Sequence, residues 1–203
     1  VKIHGLLTRL FDAHGFGSRR ATQQFVKWMK EYDPDIIHLH NLHGYYLHVG
    51  VLFEALKAMN KPVVWTLHDC WAFTGHCSHF TAAKCDRWKT QCHDCLEKRR
   101  YPASMLLDRC KYKNKNKKGS FSGVANLTIV TPSCWLSELT KLSFLKEYPV
   151  MVIPNGIDTS AFHATKSNFR ERYRLEGKKI VLGVAGIWDD RKGLSDMVQL
   201  TQL

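Results

Sequence analysis

The sequence predicts an α/β fold built on a doubly wound parallel sheet. Two observations lead to it. Five short apolar runs, at 36–39, 63–67, 127–131, 150–153 and 180–185, are mostly β-branched and continuous rather than alternating, the pattern of strands buried on both faces. Helical patterns fall between them, in the strand–helix order of a parallel sheet.

Ser18 is placed to cap a first helix ending near Tyr32, with Ala21, Phe25, Trp28 and Tyr32 on one face and Asp33-Pro34 as its stop. A second helix is predicted over 49–59, with Leu52, Leu56 and Met59 in register, ended by Asn60-Lys61-Pro62. Ser133 can cap a third bearing Leu136, Leu139 and Leu142. A fourth helical pattern covers 103–118, although its second half is Lys- and Asn-rich. Pro154-Asn155-Gly156 and the polar stretch after it read as a break. The domain boundaries expected are 1–154 for the first α/β domain, 155–178 for a linker, and 179–203 for the beginning of a second α/β domain.

The 203 residues are 44% hydrophobic, enough for a full core, and no apolar run approaches the roughly 20 residues that cross a bilayer. The opening Val-Lys-Ile-His-Gly is not a secretion signal, there is no initiating Met, and the last residues read as helix. The chain is therefore expected to be a fragment of a cytoplasmic protein. Net charge is +12, and Lys84–Lys118 alone carries +8, with twelve Lys/Arg against four acids. Such a patch attracts phosphates, nucleic acid or an acidic membrane face, unless it is only a solvated surface.

Seven cysteines without a secretion signal favour metal binding or free thiols over disulfides. Cys77, Cys85, Cys92 and Cys95 lie within 19 residues. Four thiolates suit a closed, structural zinc site, with His79 or His93 able to replace one ligand. The alternative is four reduced thiols packed in a loop. Cys70, Cys110 and Cys134 read as small buried apolar groups.

Ligands of open parallel sheets bind beyond the carboxyl ends of the strands. Those ends here are His40-Asn41-Leu42-His43-Gly44, His68-Asp69, Pro132-Ser133, Pro154-Asn155-Gly156, and Gly186 followed by Asp189-Asp190-Arg191-Lys192-Gly193. Together they predict a cleft. His68 could act as a base or bond a hydroxyl, with Asp69 holding its tautomer, or it could be a structural histidine bonded to backbone. Arg191-Lys192-Gly193 before a helical stretch suits a pyrophosphate; Gly15-Phe16-Gly17-Ser18 is a weaker version of the same idea. Two other functions compete. One is a zinc-dependent hydrolase using His38, His40 and His43. The other is a non-enzymatic nucleic-acid module using the lysine-rich segment.

Several motifs occur in a telling order: Pro34-Asp35-Ile36-Ile37-His38-Leu39-His40-Asn41, Val64-Trp65-Thr66-Leu67-His68-Asp69, Thr131-Pro132-Ser133, Ile153-Pro154-Asn155-Gly156-Ile157-Asp158 and Lys192-Gly193. This order resembles the family 4 glycosyltransferases, above all the bacterial subgroup acting in capsule, exopolysaccharide and colanic-acid-like synthesis. Members of that subgroup carry a stretch that reads here His68-Asp69-Cys70-Trp71-Ala72-Phe73-Thr74-Gly75-His76-Cys77, and a cysteine-rich insert. The resemblance implies a retaining enzyme of the GT-B type, with two Rossmann-like domains. The substrates implied are a nucleotide-diphosphate sugar donor and a polyprenyl-pyrophosphate-linked or oligosaccharide acceptor. It implies no catalytic metal, and contact with an anionic membrane surface rather than nucleic acid. His68 and Asp69 then stand as catalytic residues. Asn155, Gly156, Gly186, Arg191, Lys192 and Gly193 bind the donor, and Lys192 neutralises the departing diphosphate. His40, Asn41, His43 and Ser133 fall on the acceptor side. An arginine usual in the family just after the glycine is replaced here by Ile187, so Arg191 is expected to serve instead. The family's first strand, its glycine-rich loop and its glutamate pair are not in this sequence, and the chain alone is expected to be inactive.

Overall fold

The structure is a computed structural model, and it describes residues 2–81, 83–189 and 192–202. It divides into two compact units, Val1–Asn155 and Gly156–Leu203.

The first unit holds a four-stranded parallel sheet in the order β1-β2-β3-β4, formed by Ile37–Leu39, Val63–Thr66, Leu127–Thr131 and Val150–Val152. Ile37 sits opposite Val63, Val63 opposite Leu127, and Ile129 opposite Val150. Helices α1 (Lys2–Phe11) and α2 (Arg19–Tyr32) precede β1. Helix α3 (Val49–Met59) joins β1 to β2, α4 (Cys110–Phe121) leads into β3, and α5 (Cys134–Lys141) joins β3 to β4. Between β2 and α4 lies the cysteine-rich insert, whose only regular element among the described residues is a 3-10 turn at Arg87–Lys89.

The sheet is buried on one face more than the other. Ile37, Leu39, Val63, Trp65, Leu127 and Ile129 are buried, while the alternating His38, Val64, Thr66 and Thr128 are exposed or half-buried. Continuous apolar runs predicted burial on both faces. The consecutive strand order explains the difference, since right-handed crossovers that all step the same way place their helices on one side. That side is aromatic at its centre. Trp65 of β2 meets Phe53 of α3 and Phe121 of α4, with ring centroids 5.3 and 5.0 Å away, and Phe53 and Phe121 are 4.4 Å apart.

Helix boundaries follow local chemistry in α3 and α5. Ser133 accepts from the Leu136 N–H at 3.3 Å and His48 Nδ1 from the Val51 N–H at 3.3 Å, each satisfying an orphan donor of a first turn. Ser18 does not cap α2. Its φ of 54° is left-handed, and its hydroxyl is 3.0 Å from His4 Nδ1 instead. The aromatic face expected to be buried on α2 is turned outward: Phe25, Trp28 and Tyr32 stack on one another in solvent, while Thr22 and Met29 pack inward. Period alone cannot decide which stripe of a helix meets the core.

The helix expected over 103–118 starts only at Cys110, and the Lys/Asn-rich half is the helical half. Its inner face is Cys110, Lys113, Asn114, Lys117 and Phe121, so two of the lysines expected on a basic surface are buried. Glycines 15 and 17 serve packing rather than anion binding. A Cβ on Gly15, at φ 80°, would strike the Trp71 ring, and one on Gly17 would strike the His4 ring.

The second unit contains α6 (Phe169–Arg172) and α7 (Leu194–Leu200). The strand expected at 180–185 is not formed; Val181, Leu182 and Val184 are exposed there. A strand needs a ladder partner, and none exists in this unit among its described residues.

Phe53 is fully buried between Trp65 and Phe121. Phe53→Ala should therefore cost about 3–5 kcal/mol, read as a lower urea midpoint with the m-value unchanged.

Candidate active site

Strands β1 and β2 end side by side, and the histidines that follow them meet. His40 Nδ1 lies 3.0 Å from His68 Nε2, with the rings nearly parallel. One proton serves that contact, so one ring donates and the other accepts. Burial, then the neighbouring His38 and His68, hold the His40 pKa below the ordinary histidine range. Both rings are exposed at the strand ends, where an incoming hydroxyl can reach them. His38 is engaged elsewhere, with Nε2 2.9 Å from Thr66 Oγ1.

Asp69 does not hold His68, as its position in sequence suggested. Its Oδ2 lies 2.9 Å from His43 Nε2, and its Oδ1 accepts from the Trp71 N–H at 2.9 Å. Burial pushes the Asp69 carboxyl up, but the His43 bond and charge outweigh it, and the pKa is lowered. Successive residues of an extended segment point to opposite sides, so His68 faces the open edge while Asp69 faces inward. Asp69 is thus a bracing carboxylate for the 69–71 turn and for His43.

The remaining predicted residues separate into two groups. Asn41 is exposed, and its carbonyl accepts from the Tyr46 hydroxyl at 2.7 Å. Ser133 is spent on the α5 cap. Asn155 closes the first unit. In the second unit Gly156 and Gly186 are exposed, and Lys192 is exposed with its N–H donating to Asp189 Oδ1 at 3.0 Å. Gly193, at φ 75°, precedes α7. Arg191 lies outside the described residues.

Behind the histidines is a buried polar cluster that the sequence did not disclose. Asp12, after α1, has Oδ1 2.7 Å from His76 Nδ1 and accepts from Lys113 Nζ on the same oxygen, while Oδ2 accepts from the Arg109 N–H at 2.9 Å. All three side chains are buried. Burial raises the Asp12 pKa, but the His76 bond and the Lys113 charge win and hold it low. For Lys113 burial wins, and its pKa is lowered. Lys117 Nζ donates to the Trp71 and Thr74 carbonyls at 2.6 and 3.0 Å and sits 3.3 Å from the Trp71 ring centroid. Burial pushes it well below the ordinary lysine value. These partners lie 37 to 101 positions apart in sequence, so no local pattern could have found them.

The four cysteines expected to bind zinc do converge. Cys77, Cys85, Cys92 and Cys95 line one small cavity, joined by Cys110. They do not form the closed four-thiolate site. Among the described residues no group of three or more His, Cys, Asp or Glu is arranged to hold a metal ion. Cys95 and Cys77, both free thiols, share a hydrogen bond, and Cys92 Sγ accepts from the Gly75 N–H at 3.2 Å. Burial raises Cys70 to about 12 and Cys92 to about 11. Gly75 is required there, since a Cβ would strike the Cys110 carbonyl. Cys134, expected to be buried, is exposed. His38, His40 and His43 have separate partners, which removes the basis of a hydrolase site. The burial of Lys113 and Lys117 removes two cations from the nucleic-acid reading.

The sequence profile described as Glycosyltransferase Family 4 matches residues 2–161. The chain belongs to that family. It is 32% identical over 188 residues to the putative colanic acid biosynthesis glycosyl transferase WcaC of Escherichia coli K12, an alignment covering 88% of this chain and 44% of that protein. It is 33% identical over 84 residues to the processive diacylglycerol alpha-glucosyltransferase of Acholeplasma laidlawii, covering 39% of this chain and 25% of that protein. No solved structure matches significantly. The chain thus spans less than half the length of the curated relatives it matches, and its parallel-sheet unit is Rossmann-like.

Three outcomes test this architecture. Asp12→Asn leaves Lys113 buried without a counter-charge and should cost about 3–5 kcal/mol. Because the folded pKa values of Asp12 and Asp69 are depressed, their stabilisation is present above about pH 4 and lost as pH falls through those values. Urea midpoints at falling pH should decline, with a shallower slope in the Asp12→Asn variant. In native protein at pH 8, a thiol reagent should modify exposed Cys134 first, and Cys70, Cys92 and Cys110 only with unfolding.

Proposed function

We propose that this chain supplies the acceptor side of an enzyme that moves a sugar from a nucleotide-diphosphate sugar to a lipid-linked or oligosaccharide acceptor. The transfer would retain anomeric configuration and serve surface polysaccharide synthesis at the inner face of a membrane. The observation that carries the reading is His68, exposed at the end of β2 and tied to His40, in a chain of glycosyltransferase family 4. The names of its relatives support the substrate classes, one acting in colanic acid synthesis and one on diacylglycerol.

In this mechanism His68 bonds the transferred sugar at the reaction centre, and His40 fixes which His68 nitrogen carries the proton. Asp69 and His43 hold the turn behind it. Asn155, Gly156, Gly186, Arg191, Lys192 and Gly193 are the donor-binding set, with the Lys192 cation offsetting charge on the departing diphosphate. Lys111, Lys115 and Lys118, exposed on α4, are the part of the basic segment left free to meet an anionic membrane surface. No metal takes part in a step.

The test is transfer of labelled sugar in a protein containing this chain, assayed with a panel of nucleotide sugars and lipid acceptors. His68→Ala should lower kcat by about 10²-fold or more with the fold intact. An unchanged kcat would remove His68 from the mechanism. Inversion at the anomeric carbon of the product, read by NMR, would overturn retention.

A further inference from the structure

We propose that a groove between α1 and the loop at 99–105 binds a lipid-linked phosphate, so that the acceptor's anionic head enters beside Tyr101 and His43. The inference rests on the transferase reading and names the acceptor's chemistry and its site.

Two adjoining concavities form the groove. One, of about 560 Å³, is lined by Leu6, Arg9, Tyr45 and Tyr101 among others, within the size range of small-ligand sites. The other, of about 350 Å³, is lined by Arg99 and Met105. Arg9 and Ala103 belong to both, which makes them continuous. The walls are tied together, because the Met105 N–H donates to the Arg9 carbonyl at 2.8 Å and the Leu106 N–H to the Leu10 carbonyl at 3.3 Å.

The charge of the groove is one-sided. Its lining includes two arginines and no carboxylate. Neither arginine makes an ion pair with a described carboxylate, and Glu97, the acid nearest in sequence to Arg99, is taken by Arg100 at 3.3 Å. Unpaired guanidinium groups offer the forked donors that phosphate oxygens accept bidentately. The rim is apolar: Leu6, Met105 and Leu106 are each about 60% exposed. A soluble phosphate has no use for that rim, whereas an isoprenoid or acyl chain buries it at about 25 cal/mol per Å². The inner wall reaches His43. The Tyr101 hydroxyl is 3.5 Å from His43 Nδ1, and His43 lies 2.9 Å from Asp69, the residue after His68. A ligand with its phosphate on the arginines and its tail along the rim therefore places the next group, a sugar or hydroxyl, against Tyr45 and Tyr101, next to His43.

The test is calorimetric binding of farnesyl diphosphate, with inorganic pyrophosphate and farnesol as partial probes. Farnesyl diphosphate should bind about tenfold or more tighter than either fragment. Arg9→Gln with Arg99→Gln should weaken it about tenfold or more, as expected for lost charge-assisted bonds. Lys111→Gln with Lys115→Gln, the same charge change on α4, and Lys192→Gln should each leave binding nearly unchanged. Circular dichroism checks the fold, and Arg99→Gln alone, a loop substitution, gives a second reading if the double variant misfolds. The proposal is overturned by binding that ignores the arginines, by equal losses in the Lys111/Lys115 pair, by loss on Lys192→Gln, or by equal affinity for pyrophosphate. Binding is read without turnover, so a failed groove leaves the role of His68 standing, and an inert His68→Ala result leaves the groove standing.

Discussion

Two buried amines on one helix hold this molecule's working parts together. Lys113 and Lys117 project from the inner face of α4 into positions with almost no solvent. A buried ammonium group is tolerated only where carboxylates, carbonyls or aromatic faces replace its water. Asp12 and His76 meet Lys113, and the Trp71 and Thr74 carbonyls with the Trp71 ring meet Lys117. The partners come from three places: Asp12 just after α1, Trp71 and Thr74 in the turn after β2, and His76 at the start of the cysteine-rich insert. The penalty for leaving either amine unsatisfied fixes those three stretches against α4.

The sheet edge bearing the candidate site inherits its geometry from that constraint. Trp71 is gripped by Lys117 and its N–H is held by Asp69. Asp69 is paired in turn with His43. With Asp69 committed inward, His68 projects to the open edge and finds His40. The same arrangement sets Tyr101 against His43, where the groove between α1 and the 99–105 loop opens. The insert therefore acts as a frame for the strand ends, and its thiols fill the interior of that frame as small packed groups.

The strands at 37–39, 63–66, 127–131 and 150–152 and the helices at 49–59 and 134–141 were legible because each is specified locally, by apolar period, by a capping residue, and by a stop. The sequence also pointed to the strand ends, because ligands of parallel sheets gather there, and the structure brings His40 and His68 together at two of them. Pairings within the site were not legible. Asp69 adjoins His68 in sequence, yet alternation along an extended segment sends the two side chains apart. Nor was it legible which face of α2 is buried, or that a Lys/Asn-rich segment is a core helix. Both depend on what lies opposite.

By itself, then, the sequence determined four of the strands, the parallel sheet, the family and the histidines at the strand ends, because these follow from short-range pattern and motif spacing. Only the tertiary structure decided that His40 rather than Asp69 partners His68, that five cysteines meet around one cavity, and that Lys113 and Lys117 are interior. Those outcomes turn on contacts between residues many positions apart, where the cost of burying a charge or a polar atom is settled by the neighbours the whole fold brings to it.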